Sequence, residues 1–342
     1  MNKSILTLLF LLIPIYCCYG QNHATFNVLF WNTENLFDCK HDSLKNDTDF
    51  LPTSLKRWNS YKYWQKLKAL SKGIIATGQW NPPSLVGLCE VENDSVLFDL
   101  TQRTPLRNLG YKYLITNSKD FRGIDVALLY QPEFFRLITH RAISVGLLPV
   151  GHRPSRDLLH VTGKVWSGDT LDIFVVHLPS RYGGQKHSEP NRIHVAQILK
   201  NHVDTLWHTR TNPLVLIMGD FNDYPSNNSI YTTLGAKEPS LPYQAQQLYN
   251  LVARKRKKNW GTYKFKAHWG VLDQFIVSGN LLDSLSNCYT SEETTQIITY
   301  PFLLIEDKKF GGYKPFRTYN GMKYQGGYSD HLPVLSSFTI TY

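Results

Sequence analysis

The sequence predicts an α/β domain built in layers, with two β-sheets and helices packed on them. Three observations carry this. Short runs rich in β-branched and aromatic residues recur along the chain, and amphipathic helical segments interrupt them. In addition, 42% of the 342 residues are hydrophobic, with no Pro/Gly/Ser linker or repeat to divide them. There are too many strand-like runs for one compact open sheet, so two sheets are expected within a single domain over residues 21–342.

In chain order, FNVLFW (26–31) is the first strand and closes on Asn32-Thr33-Glu34. A helix is expected over 58–77, where Tyr61, Trp64, Leu67 and Leu70 share one face and lysines another. The strand SLVGLCE (84–90) ends at Glu90. YKYLIT (111–116) and DVALLY (125–130) follow, with Arg122 and Asp125 close to the turn between them. LHVTGKVW (159–166) precedes LDIFVVH (171–177), which ends in His177. A second helix over 189–207 sets Ile193, Ala196, Ile198 and Leu199 on or near one face. LVLIMGD (214–220) stops at Asp220 and runs into Phe221-Asn222-Asp223; LDQFIVS (272–278) carries Asp273 at its start. PVLSSFTI (333–340) is preceded by Ser329-Asp330-His331.

Residues 1–20 stand apart. Lys3, the apolar run ILTLLFLLIPIY and small residues up to Gly20 are the layout of a secretory signal peptide, too short for a comfortable membrane span. Secretion or periplasmic export is expected, with lipid attachment at Cys17 or Cys18 the lesser alternative; no transmembrane span is expected in the mature chain. Cleavage leaves Cys39, Cys89 and Cys288, too few for a disulfide framework, with no Cys/His metal spacing. The net charge of +10 draws such a protein towards polyanions, although a basic surface also serves solubility alone.

The chemistry is concentrated at strand ends. Beside the strand that ends at Asp220, five more strands spread over most of the chain are closed or opened by Asn, Glu, His or Asp, and loops held by a rigid sheet are where binding groups collect. Convergence would make a pocket of hard oxygen donors with two imidazoles, suited to Mg²⁺, or to Mn²⁺ or Ca²⁺, rather than to structural zinc. His and Asp are suited to orienting and deprotonating a water. The chain has no GxSxG elbow, P-loop or dinucleotide glycine fingerprint.

The ordered words WNTENLF, GLCEVEN, RGIDVALLY, VVHLPSRYGG, IMGDFND, WGVLDQFIVS and YSDHLPV resemble the endonuclease/exonuclease/phosphatase superfamily over about residues 26–339. The resemblance implies a four-layered α/β/β/α sandwich, two mixed sheets face to face with helices outside. It also implies metal-dependent cleavage of a phosphate ester by activated water. Carried over by position, Asn32, Glu90 and Asp330 would serve the metal, with Glu34 a supporting acid. Asp220 would orient or deprotonate water, Asn222 fix the phosphate or that water, His331 bind the phosphate, Asp273 orient His331, and His177 lie near the leaving group. That histidine departs from the apurinic-endonuclease branch, which has tyrosine there.

Arg122, Asp125, Arg181 and Arg192 are further candidates for the substrate site, each with a plain structural alternative. His194, His202 and His208 read as surface or packing residues, and His187 stays open. The run RKRKK (254–258) is either a solvated loop or an electrostatic funnel beside Trp260 and Tyr263, and 310–328 a rim over the substrate or a surface excursion. The expected activity is an exported phosphodiesterase, foremost a nuclease on nucleic acid. The alternatives are a sphingomyelinase-like lipid phosphodiesterase, a phosphatase on small phosphate esters, or a non-catalytic binding module of this fold; no obligate protein partner is evident.

Overall fold

The computed structural model describes residues 23–255 and 260–342; the segment read as a signal peptide and Arg256, Lys257 and Lys258 of the basic run lie outside the described residues. The strands of the two large sheets, in chain order, are β1 (His23–Leu36), β2 (Leu85–Val91), β3 (Lys112–Ile115), β4 (Asp125–Tyr130), β5 (Phe135–Ile143), β6 (Leu158–Val165), β7 (Thr170–His177), β8 (Leu214–Asp220), β9 (Leu248–Asn250), β10 (Asp273–Ser278), β11 (Cys288–Ile297) and β12 (Val334–Thr341). The α-helices are α1 (Ser60–Thr77), α2 (Asp94–Gln102) and α3 (Gln185–Thr209).

The first sheet has the order β11-β12-β1-β2-β4-β3 and the second β5-β6-β7-β8-β10-β9. Each is antiparallel except for one central parallel pair, β1 with β2 and β7 with β8. A parallel pair needs a crossover, and helices supply it: α1 between β1 and β2, α3 between β7 and β8. Period-two alternation then sorts the side chains. Val28, Phe30, Val126 and Leu128 of the first sheet share one core with Val161, Ile173, Val175, Leu216, Met218 and Phe275 of the second. Leu29, Trp31, Val86 and Leu88 pack outward on Leu67, Leu70 and Ile74 of α1 and Val96 and Leu100 of α2. Phe174, Val176, Val215 and Ile217 pack outward on Val195, Leu199 and Val203 of α3. The result is the four-layered α/β/β/α sandwich.

Several details differ from the sequence reading. The buried stripe of α1 is Tyr63, Lys66, Leu67, Leu70 and Ile74, whereas Tyr61 is exposed and Trp64 half-buried. That of α3 is Val195, Ala196, Leu199, Val203 and Leu206, with Ile193 and Ile198 at its margin. The sequence reading missed α2, whose Asn93 caps it by accepting from Val96 N. It also missed β5, β9 and β11. β5 and β11 are polar edge strands that face solvent, and charge on an edge conceals the alternation. Among the described residues Cys39, Cys89 and Cys288 are free, with Cys89 in the inner core.

Candidate active site

The topology brings the strand ends together. Parallel β1 and β2 share a C-terminal end, as do β7 and β8; β10 and β12 run antiparallel to their neighbours and begin where those strands finish. In the second sheet His177, Asp220 and Asp273 are register partners side by side. Each lies two residues along from an inner-face core residue: Val175, Met218 and Phe275. The face that buries the core therefore turns polar on its last rung. Asn32 continues Phe30 in the same way on the opposing sheet, and its Nδ2 donates across to Asp220 Oδ2 at 3.1 Å.

Backbone kinks aim the remaining groups. Glu90 has φ +60° at a register break in which Val91, not Glu90, pairs next with β4. Glu34 (φ +52°) sits in the irregular last stretch of β1, where its pairing with β2 shifts register, and Asn222 (φ +50°) follows the end of β8. A left-handed conformation is uncommon for Glu, so this clustering at one end of the sandwich is strain held by its surroundings. Asn35 N donates to Glu90 Oε2 at 2.9 Å, leaving Oε1 for the cavity, 4.0 Å from His177 Nε2.

Asp220 is the hub. Asn222 N donates to its Oδ1 at 2.8 Å, and its Oδ2 lies 3.7 Å from His177 Nε2 and 3.8 Å from His331 Nε2. Burial, with Asp273 nearby, pushes its carboxyl up to about 7 against the pull of His331 and the Asn222 and Asn32 donors. His331 donates Nδ1–H to Asp273 Oδ2 at 2.7 Å. Burial alone would lower its pKa, but Asp273 and Asp220 outweigh it and hold His331 well above the usual histidine range, as imidazolium. His177 goes the other way: burial and then Arg156 and Arg122 hold it neutral. The two imidazoles facing one carboxylate thus carry different charge.

These groups line one cavity of about 640 Å³: Glu90, His177, Asp220, Asn222, Asp330 and His331, with Arg122 and Arg181 at its sides. Arg122 Nε stands 3.4 Å from Asp120 Oδ1; Arg181 Nε donates to Asn222 O at 2.7 Å, its guanidinium 4.2 Å from the Tyr224 ring centroid. Glu34 sits behind the wall, accepting from Thr318 N at 2.5 Å and from Arg317 Nε at 3.3 Å, with Lys66 Nζ 3.9 Å away.

Asn32 and Asp273 stand behind lining residues that they hydrogen-bond, Asp220 and His331, whereas two further candidates are committed elsewhere. Asp125 is buried, and its Oδ1 is taken by Thr116 Oγ1 at 2.5 Å and Ser118 N at 2.9 Å; it closes the loop before β4 and does not meet Arg122. Arg192 is fully buried in α3, with Nε 2.7 Å from Asp223 Oδ2, and braces the turn after β8 from below.

The sequence reading missed three contributors, Arg317, Lys66 and Arg156, and named a fourth, Tyr263, only as a ring beside the basic run. Arg317 Nη2 donates to Asp330 Oδ2 at 3.0 Å while its Nε reaches Glu34, so one guanidinium joins two site acids. Lys66, wholly buried, donates to Thr318 Oγ1 and Tyr328 O at 2.6 Å each, and burial lowers its ammonium to about 8 despite Glu34. Its place in the stripe Tyr63-Lys66-Leu67-Leu70 was a readable signal. Arg156 Nη2 donates to His177 O and Leu178 O. The Tyr263 ring lies 4.8 Å from the His331 ring. Arg317, Thr318 and Tyr328 also show that the 310–328 segment is anchored to the site rather than being a plain surface excursion.

Oxygen donors suited to a divalent cation are present. Glu90 Oε1 and Asp330 Oδ1 belong to half-buried carboxylates on the cavity wall, and the Asn32 amide oxygen accepts from Glu34 N at 2.9 Å with a second lone pair remaining. Ligand atoms of Asp220, Asp273 and His331 also lie within 4.8 Å of one another. In that trio, however, Asp273 Oδ2 is already bonded to His331 Nδ1 and Asp273 is wholly buried, so it reads as a hydrogen-bonded relay. Glu90 and Asp330 are the better fit.

A family model described as the endonuclease/exonuclease/phosphatase family matches residues 27–339. No curated protein matches the sequence. Among solved structures, a protein of this family from Bacteroides thetaiotaomicron aligns over 93% of this chain and 99% of its own at 16% identity, TM-score 0.57. The human Nocturnin catalytic domain with bound sulfate aligns over 94% and 98% at 17% identity, TM-score 0.54. A B. thetaiotaomicron mannosyl-6-phosphatase aligns over 92% and 99% at 15% identity, TM-score 0.53. At these identities the likeness is one of fold.

Proposed function

Because the chain belongs to the endonuclease/exonuclease/phosphatase family, a group of phosphoric ester hydrolases, we propose that it is a divalent-metal-dependent phosphodiesterase that hydrolyses nucleic acid with activated water. One observation supports this most: a buried carboxylate, Asp220, faces a neutral and a charged imidazole across the cavity that Glu90 and Asp330 line.

Glu90 and Asp330, with the Asn32 amide oxygen, would hold the cation, most suitably Mg²⁺ or Mn²⁺. When bound, it would neutralise phosphate oxygens and the charge on the leaving oxygen. The chain supplies the rest. Asn32 and Asn222 N fix the Asp220 carboxylate, which takes a proton from the attacking water. His331, held by Asp273, presents Nε2–H to the phosphate and meets the negative charge that grows in the transition state. Neutral His177, beside Asp220 and Glu90, has Nε2 free to orient water or the leaving group.

The second reading is a phosphatase on small esters. The cavity, of about 640 Å³, has room for one sugar phosphate, and one protein of similar fold is a mannosyl-6-phosphatase. A metal-supplemented panel of plasmid DNA, RNA, sphingomyelin, a nitrophenyl diester, inositol phosphates and mannose 6-phosphate tests the choice. Cleavage of DNA or RNA well above the monoesters is expected; turnover of monoesters alone would overturn the nuclease reading.

Residues 1–20 would direct export. β1 starts at His23, so cleavage near Gly20 leaves the sheet intact. N-terminal sequencing of the exported protein checks this, and an uncleaved Met1 would refute it.

A further inference from the structure

We propose that a groove leaving the catalytic cavity over Ser180 is a binding channel for single-stranded nucleic acid, built from residues that take no part in the chemistry. It deepens the nuclease reading above and rests on it.

Three hollows adjoin. The catalytic cavity shares Arg122 and Ser180 with a hollow of about 310 Å³, whose walls include Phe121, Arg153, Pro179 and Tyr182. That hollow shares Arg153, Pro179, Ser180 and Tyr182 with a third, of about 290 Å³, which reaches His187 at the start of α3. A path therefore runs from the reacting phosphate along the protein surface.

Its lining has the two chemistries that a single strand needs. Guanidinium groups stand at Arg122 and Arg153. The acid in the wall, Asp120, is buried and taken up by Arg122 at 3.4 Å and Arg156 at 3.2 Å, so it opposes no polyanion. Aromatic rings share these walls with the cations: Phe121 is 44% and Tyr182 82% exposed, although large rings are normally buried. Arg153 lies 5.7 Å from the Phe121 ring centroid, so the ring is backed by charge on one side. Tyr182 is held out by a turn that only glycine makes easily, at Gly183 (φ +79°) and Gly184 (φ +110°); a Cβ on Gly183 would meet the His187 ring at 3.1 Å.

Rings and cations lining one groove match the two parts of an unpaired strand, base and phosphate. Stacking is indifferent to base identity, which suits an enzyme without sequence preference. A duplex would keep its bases from these rings, and a bilayer would find cations where it needs a continuous apolar surface.

The test compares the wild type with Arg153→Ala and with a Phe121→Ala/Tyr182→Ala variant, all Mg²⁺-supplemented, on oligothymidylates and oligouridylates from dinucleotide to dodecamer and on a nitrophenyl diester. Thermal melting controls for folding. The wild type is expected to gain kcat/KM with length. Both variants should lose about tenfold on the dodecamers through KM, with turnover of the nitrophenyl diester unchanged. Length-independent cleavage, or variants that match the wild type on dodecamers, would overturn the groove while leaving the nuclease reading in place. A wild type that hydrolyses the nitrophenyl diester but no oligonucleotide would overturn both.

Discussion

At the scale of single residues, the site places opposite demands on similar groups. His331 and His177 both face Asp220 at under 4 Å, yet Asp273 charges one and the buried Arg156 helps to keep the other neutral. His331→Gln keeps side-chain bulk but removes the cation. It is expected to lower kcat by about two orders of magnitude with the far-ultraviolet dichroism unchanged; turnover near wild type would remove His331 from the chemistry. Lys66 tests the support beneath. Lys66→Met leaves Glu34 short of a cation and Thr318 Oγ1 and Tyr328 O short of a donor, and urea denaturation should register a loss of about 3 kcal/mol. The strand-end acids and histidines were readable because Asp, Asn and His are poor continuations of an apolar strand. Arg317 and Arg156 were not, because long cations are ordinarily surface groups and nothing local marks one that turns inward. Arg192 failed for the converse reason: it is an arginine whose donors are spent inside the fold, on Asp223, Ser188 Oγ and Gln185 O.

At the scale of elements, β1, β2, β7 and β8 are the frame, and their boundaries were read to within a few residues because buried strands are apolar and short. The edge strands β5 and β11 were not, since half of each faces water. α3 was read with the wrong margin because side chains beside an apolar stripe are only half covered. One interaction beneath α3 tests how the outer layer is fastened. Asp172 on β7 is fully buried; burial would raise its carboxyl, but hydrogen bonds from His160, Arg210 and Thr162 hold it down at about 2. A depressed carboxyl gives stability that is complete above the unfolded value of about 3.9 and is lost as pH falls towards 2. The wild type should therefore lose about 2 kcal/mol between pH 5 and 2 (an ordinary acid-denaturation range) through this group. Asp172→Asn should be less stable at neutral pH and show a shallower acid limb in urea titrations. An identical slope in both would contradict the assignment.

At the scale of the whole molecule, the fold makes a site by bringing two crossover units face to face. Each contributes a polar last rung, and neither has the full set alone: Asn32 and Glu90 come with the first sheet, His177, Asp220 and Asp273 with the second. Close approach of the sheets is essential to this. A Cβ on Gly87 of β2 would come within 2.9 Å of Met218 on β8, so Gly87→Leu should separate the layers and cost about 2 kcal/mol, read by thermal melting. The layered class was readable from strand and helix order alone. The convergence of six distant strand ends was not, because it depends on which strands run parallel. The measurement closest to the central claim is hydrolysis of a nitrophenyl phosphodiester by the wild type and by Glu90→Gln, in EDTA and after Mg²⁺ is restored. The expected result is no turnover in EDTA, recovery with Mg²⁺ in the wild type, and little recovery in Glu90→Gln. Turnover in EDTA, or full recovery by Glu90→Gln, would contradict a cation-assisted reaction at this end of the sandwich.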